Sequence, residues 1–265
     1  MRITLATLFL VAAVPAAHAK VEIRDVQAAH GLLGPERSDT EYLPGDEVFL
    51  RFTVTGARTT EQGRLNGEIK LTLTDAAGQT ILRDASPVQN TLAFGGDRFP
   101  AKAAVELGHQ FPPGEYQMTV EFKDLISGES DSFTKKFTCR PIEFGLARVR
   151  FAADEAGRSA ARVDGVVGQP LHLKVVAVGF DRSAGAIDLE MEVRVLDAKG
   201  RPVAPEPVRA TVRTADPETV KAATHATFSG ELTRTRPGEF RLQVTITDRK
   251  SGKTTTFETP MRVTD

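Results

Sequence analysis

The sequence predicts an all-β chain, two copies of one antiparallel sandwich in tandem behind an export signal. Three observations carry this. The 265-residue chain repeats itself at an offset near 124, its apolar residues alternate with period two, and helical periodicity is almost absent. The repeat is plainest where PPGEYQMTVEFKDLISGESDSF (Pro112–Phe133) returns as RPGEFRLQVTITDRKSGKTTTF (Arg236–Phe257).

Residues 1–19 read as a secretory signal peptide. Arg2 supplies the positive region, Ile3–Val14 is apolar, and Ala17-His18-Ala19 is a small-x-small cleavage pattern that predicts a cut before Lys20. The apolar run is shorter than the roughly 18 residues a membrane span requires, and no later stretch approaches that length. The signal has no cysteine at its end for lipid attachment, and the terminal MRVTD has no hydrophobic anchor. The expectation is an exported protein, periplasmic or extracellular. It divides into a first sandwich at 20–139, a short semi-rigid linker at 140–145 containing Pro141, Ile142 and Phe144, and a second sandwich at 146–265.

Within the repeat, Met118, Val120 and Phe122 fall on Leu242, Val244 and Ile246, and Ser127-Gly128 falls on Ser251-Gly252. Alternation, a Ser-Gly turn and renewed alternation make a strand, a hairpin and a strand. Upstream, Gly45–Arg51 pairs with Gly168–Lys174, Gly56 with Gly179, and Ile69–Leu73 with Met191–Val195. Asp-Ala-x-Gly follows the latter strand in both copies, at Asp75–Gly78 and Asp197–Gly200. Offsets that drift by one or two residues while the order holds mark loop insertions. The one candidate for helix is Pro217–Ala226, one or two turns or a loop.

Gly114-Glu115-Tyr116-Gln117-Met118 resembles the G-x-Y-x-C opening of the sixth strand of immunoglobulin-like domains, the strand that carries the tyrosine corner. Here Met118 and Leu242 stand at the cysteine position, Phe240 replaces the tyrosine in the second copy, and Trp is absent from the chain. The resemblance therefore implies the broad immunoglobulin-like or fibronectin-III-like sandwich. The whole chain is also similar to exported bacterial tandem-sandwich proteins of unassigned activity.

Removing Arg2 with the signal leaves 33 basic and 35 acidic residues, unevenly placed: residues 20–139 carry a net −5 and 140–265 a net +3. Neither half has the dense basic stripe of a nucleic-acid binder. The lone Cys139 cannot close a bond within the chain, so the fold rests on its cores, and Cys139 is left either to end a strand as a small semi-buried residue or to link a dimer.

Catalytic and metal motifs are missing from the sequence. His30, His109, His172 and His225 each lie far from another His or Cys, and no G-x-S-x-G elbow or phosphate-cradling loop occurs. No catalytic, cofactor-binding or metal-ligating residue is assigned. Asp75, Asp124, Asp197 and Asp248 recur at equivalent strand ends, where they suit either hairpin capping or Ca²⁺. A carbohydrate platform lacks its flat aromatics, with only Tyr42 and Tyr116 present. In Leu92–Phe99 two phenylalanines flank Gly95-Gly96, and burial against the end of the sandwich is expected for them over an exposed patch. Ala28–Pro35 differs from its counterpart, Ala152–Val163, and is a candidate contact loop.

These features select an exported, non-enzymatic binding or structural module that recognises a protein or envelope component through loops and strand edges. Two alternatives stand beside it. One is a Ca²⁺-dependent adhesion tandem, and the other an enzyme whose site is assembled at the domain junction around Cys139 and His172.

Overall fold

The computed structural model describes residues 20–265, and the predicted signal peptide, residues 1–19, lies outside the described residues. Sixteen strands and one short helix make two immunoglobulin-like sandwiches. In the first, β1 (Glu22–Ala28), β3 (Glu47–Thr55) and β6 (Phe99–Glu106) form a sheet in the order β1-β3-β6. It faces a five-stranded sheet ordered β2-β8-β7-β4-β5, built from β2 (Glu41–Tyr42), β4 (Arg64–Asp75), β5 (Thr80–Thr91), β7 (Gly114–Asp124) and β8 (Ser130–Cys139).

The second sandwich repeats the plan. β9 (Gly145–Ala152), β11 (Pro170–Val178) and β14 (His225–Thr233) form the smaller sheet, ordered β14-β11-β9. β10 (Gly165–Val166), β12 (Ile187–Leu196), β13 (Val208–Thr214), β15 (Gly238–Asp248) and β16 (Thr254–Thr264) form the larger, ordered β10-β16-β15-β12-β13. The offset of 123 places β3 on β11 residue for residue. One feature departs from the all-antiparallel expectation. The two-residue strands β2 and β10 run parallel to β8 and β16, pairing Tyr42 with Cys139 and Gly165 with Val263.

Period-two alternation becomes two cores. In β7, Tyr116, Met118, Val120 and Phe122 point inward, and in β15 Leu242, Val244 and Ile246 do the same. Tyr116 lies against Phe111 and Phe137, and its hydroxyl donates to the Pro112 carbonyl at 2.9 Å, which is the tyrosine corner the resemblance implies. The helical candidate is a short helix, α1 (Pro217–Ala222). Asp216 caps it by accepting from the Thr219 N–H, and Pro217 opens it.

The strand directions fix two poles. β3 begins at Glu47 and β8 ends at Cys139 beside the linker, so the β7–β8 hairpin and the β5–β6 connection lie at the far end of the first sandwich. In the second sandwich β11 ends and β9 begins at the junction, while the start of β15 and the end of β16 lie at the opposite outer pole.

The junction is closely packed. A Cβ on Gly179 (φ +66) would stand 2.2 Å from the Glu143 carbonyl oxygen, and one on Gly45 (φ +94) would stand 2.5 Å from His109 Nδ1. Both positions therefore require glycine twice over, for conformation and for room. The His109 and His225 rings stack across the junction at 4.3 Å. Arg148 reaches Glu106 at 3.0 Å and Arg150 reaches Glu47 at 2.6 Å, basic groups of the second half on acidic groups of the first.

Candidate interaction surfaces

The four recurrent aspartates separate into two kinds. Asp124 is fully buried. Its Oδ2 accepts from the Arg58 N–H (2.9 Å) and the Ser127 hydroxyl (2.6 Å), and its Oδ1 from the Ile126 N–H (2.8 Å). Asp248 does the same in the second copy, accepting from the Asp181 N–H (2.9 Å), the Ser251 hydroxyl (2.7 Å) and the Lys250 N–H (3.0 Å). Arg58 and Asp181 follow β3 and β11, so each carboxylate fastens the hairpin of the large sheet to a loop leaving the small one. Burial works against the charge on Asp124, but these donors outweigh it and hold the carboxyl below its ordinary range.

Asp75 and Asp197 are turn caps at the other end of their strands. Asp75 Oδ1 accepts from the Ala77 and Gln79 N–H groups, and Asp197 Oδ1 from those of Lys199 and Arg201. Backbone and side-chain donation from Arg201 holds the Asp197 carboxyl low. Asp124 pairs with Gly67 and Tyr116 with Asp75, so the two kinds stand about eight residues, roughly 25 Å, apart along β4. Among the described residues no three His, Cys, Asp or Glu side chains converge on a common point.

The residues of the enzymatic alternative are not brought together. Cys139 is 1% exposed in the first core, and burial pushes its thiol up, away from the reactive thiolate. His172 pairs with Ala152 and Glu231 at the far end of β11, roughly 20 Å from the junction end. Its Nδ1 lies 3.8 Å from Glu231, and its side chain is largely covered rather than free on the surface. Burial of Cys139 also leaves a disulfide-linked dimer without an accessible thiol unless the end of β8 opens.

The loop Ala28–Pro35 lies on the junction. His30 packs edge-on against Phe257 at 4.9 Å, and burial first, then the nearby Arg37, brings its pKa down to about 4. Arg37 lies over the Tyr42 ring at 3.8 Å and donates to Asp46 at 2.7 Å. Burial opposes the Arg37 charge, yet Asp46 and Asp39 leave its pKa raised, while burial carries Asp46 up to about 6.

Three surfaces remain open. β5 is the edge of its sheet, and of its twelve residues only Val88 is half-buried. Leu82, Asp84, Ser86, Val88 and Asn90 pair with the inward residues of β4, but the opposing sheet is two strands narrower and does not cover them. The second surface corrects the expectation for Leu92–Phe99. Phe99 is buried, whereas Phe94 stands fully in solvent, because Gly95 and Gly96, both at positive φ, turn the chain outward. Leu125 and Ile126, half exposed on the β7–β8 hairpin, share that pole.

The third surface is a cleft of about 200 Å³ at the outer pole of the second sandwich, lined by Leu171, Val195, Val203, Leu232, Phe240 and Met261. Sequence reasoning missed it, because the offset that sets Thr235 on Phe111 and Met261 on Phe137 does not say that the two border one space. In the first sandwich Phe111 and Phe137 lie against Tyr116, and Tyr42 lies against Phe137. The matching positions in the second are Gly165, Thr235 and Met261, of which Thr235 and Met261 line the cleft with Phe240. The buried Arg234 guanidinium covers Gly165, donating to the Arg162 and Val163 carbonyls at 2.9 Å.

Among the described residues no helix is long and apolar enough to cross a membrane. No protein-family model and no curated protein matches the chain. Among solved structures it is similar to the C-terminal domain of the Streptococcus agalactiae AgI/II polypeptide BspA, with 10% identity, 91% of this chain and 100% of that one covered, and a TM-score of 0.32. It is similar to the C-terminal domain of the Streptococcus pyogenes antigen I/II-family protein AspA, with 8% identity, 92% and 100% covered, and a TM-score of 0.32. Red sea bream transglutaminase also matches, with 8% identity and a TM-score of 0.30 over 93% of this chain, which spans 32% of that enzyme's length.

Proposed function

We propose that the protein is a non-enzymatic binding or structural module of the periplasm or extracellular space that recognises a protein or envelope component through a strand edge and pole loops. The observation that carries this reading is β5. A twelve-residue edge exposed on both faces offers a row of backbone donors and acceptors to an added strand, with Ile81 and Leu82 exposed for side-chain selection. Pro87 removes one N–H from that row and limits indiscriminate pairing. The matching edge of the second sandwich, β13, has seven residues and packs against β14.

The test places a photo-crosslinker at Leu82 or Gln89 of the mature protein, with Thr211 of β13 as control, and exposes each to the native envelope and medium. One reproducible product from the β5 probes, lost from the Gln89 probe in Leu82→Lys, supports the reading. Equal labelling from Thr211, or none from β5, overturns it.

A further inference from the structure

The intrachain junction joins the pole of the first sandwich where β3 begins to the pole of the second where the corresponding strand, β11, ends. Because the two sandwiches share one plan, the chain also carries the complementary pair of poles, and both are free. Gly45 is pressed on by His109 and Val178 in the junction, while its counterpart Gly168, with the same positive φ, has nothing within 4 Å of a Cβ. In the junction the connection between β13 and β14, through Ala223 and Thr224, shares a crevice with Phe111 and its neighbours. The corresponding connection between β5 and β6 carries the fully exposed Phe94. The position corresponding to Phe111 is Thr235, which lines the apolar cleft.

We propose that copies of this chain associate head to tail, with Phe94 of one copy seated in the cleft at Leu232, Phe240 and Met261 of the next. Size, chemistry and charge select a second copy as the occupant. An apolar cavity of about 150 Å³ suffices for a benzene ring, and the cleft holds about 200 Å³. Thr235 and Met261 on its wall stand where Phe111 and Phe137 pack on Tyr116 in the first sandwich, so an aromatic ring suits it. Asp97, three residues from Phe94, has no cation within ion-pair reach among the described residues, and Arg236 on the rim of the cleft has no carboxylate. The net −5 of residues 20–139 and +3 of 140–265 favour the same end-to-end alignment. Knob and cleft lie at opposite poles, so one contact leaves a free knob and a free cleft, and growth is open-ended.

The association is independent of the β5 edge, and the experiment separates the two. Sedimentation of the mature chain over a range of concentrations should give an average mass that climbs past twice the monomer. Phe94→Ser, at a solvent-exposed site, should weaken association at least about tenfold. Val203→Trp, which fills the cleft from its exposed rim, should do the same. An equimolar mixture of the two variants should stop at a dimer, since it holds one intact knob and one intact cleft. Leu82→Lys in β5 should leave assembly unchanged. A wild-type chain that stays monomeric, or an assembly that survives Phe94→Ser, overturns the proposal. A monomer whose cleft takes up an anilinonaphthalene sulfonate probe, with uptake lost in Val203→Trp, overturns it in favour of a small apolar ligand.

Discussion

Replacing Asp124 by alanine tests whether the repeated aspartate is a structural fastener. The substitution strands three donors. The Ile126 N–H and the Ser127 hydroxyl lie at a hairpin tip where Ile126 is 39% exposed, so both regain water at small cost. The Arg58 N–H faces a carboxylate of zero exposure and loses its partner outright. An unsatisfied buried donor costs about 1–3 kcal/mol, and the lost local bonds add about 1 kcal/mol, so Asp124→Ala should destabilise the fold by about 3 kcal/mol. Asp75→Ala removes bonds of similar number from an exposed turn and should cost about 1 kcal/mol or less. Urea denaturation of the mature protein reads both. The lowered pKa adds a signature. A depressed carboxyl contributes stability that is present above the ordinary value of 3.8 and lost as pH falls below it, and Asp124→Ala should remove that share of the acid sensitivity. Equal losses from Asp124→Ala and Asp75→Ala would refute the reasoning, as would a melting temperature that calcium raises in the wild type but not in Asp124→Ala.

Two further outcomes follow from single contacts. Tyr116→Phe deletes the bond to Pro112 while keeping the ring between Phe111 and Phe137, and should cost about 1 kcal/mol in the same assay, with the core otherwise intact. His30 is held neutral, its pKa of about 4 lying below the ordinary 6.5, so its contribution is present above pH 6.5 and disappears as pH falls towards 4. Compared with His30→Leu, the wild type should lose on the order of 2–3 kcal/mol across that window. Asp46, raised to about 6, moves stability the opposite way over part of it, so the difference between wild type and variant is the quantity to follow by denaturation at each pH.

The fold was legible in the sequence because its signals are local. Alternation such as Met118, Val120 and Phe122, and turns such as Ser127-Gly128, are set by neighbours in the chain, and the duplication supplies each signal twice. The aspartates were legible as recurrent, but their division into fasteners and caps was not, since the Arg58 N–H lies 66 residues from Asp124 in sequence. Phe94 ran against the expectation of burial because an apolar residue in a loop says nothing of which way two positive-φ glycines will turn it. The cleft was hidden for a related reason. Thr235 and Met261 stand at the repeat offset of Phe111 and Phe137, but an offset does not say that two positions border one space.

The junction bears on how these surfaces can act. Its ion pairs, Arg148 with Glu106 and Arg150 with Glu47, involve partly exposed groups, and each contributes about 1 kcal/mol or less. They orient the halves rather than hold them. Stronger constraint comes from shape, since a side chain at Gly45 of the first sandwich would press on Val178 of the second at 3.2 Å, and the His109 and His225 rings stack between the halves at 4.3 Å. The packing of His30 on Phe257 adds a third point of contact on another side. Three separated contacts between two rigid bodies fix their orientation, so β5, Phe94 and the cleft keep constant positions relative to one another. A fixed spacing between an exposed ring at one pole and a cleft at the other lets a single contact repeat with one geometry from copy to copy, as a flexible tether would not.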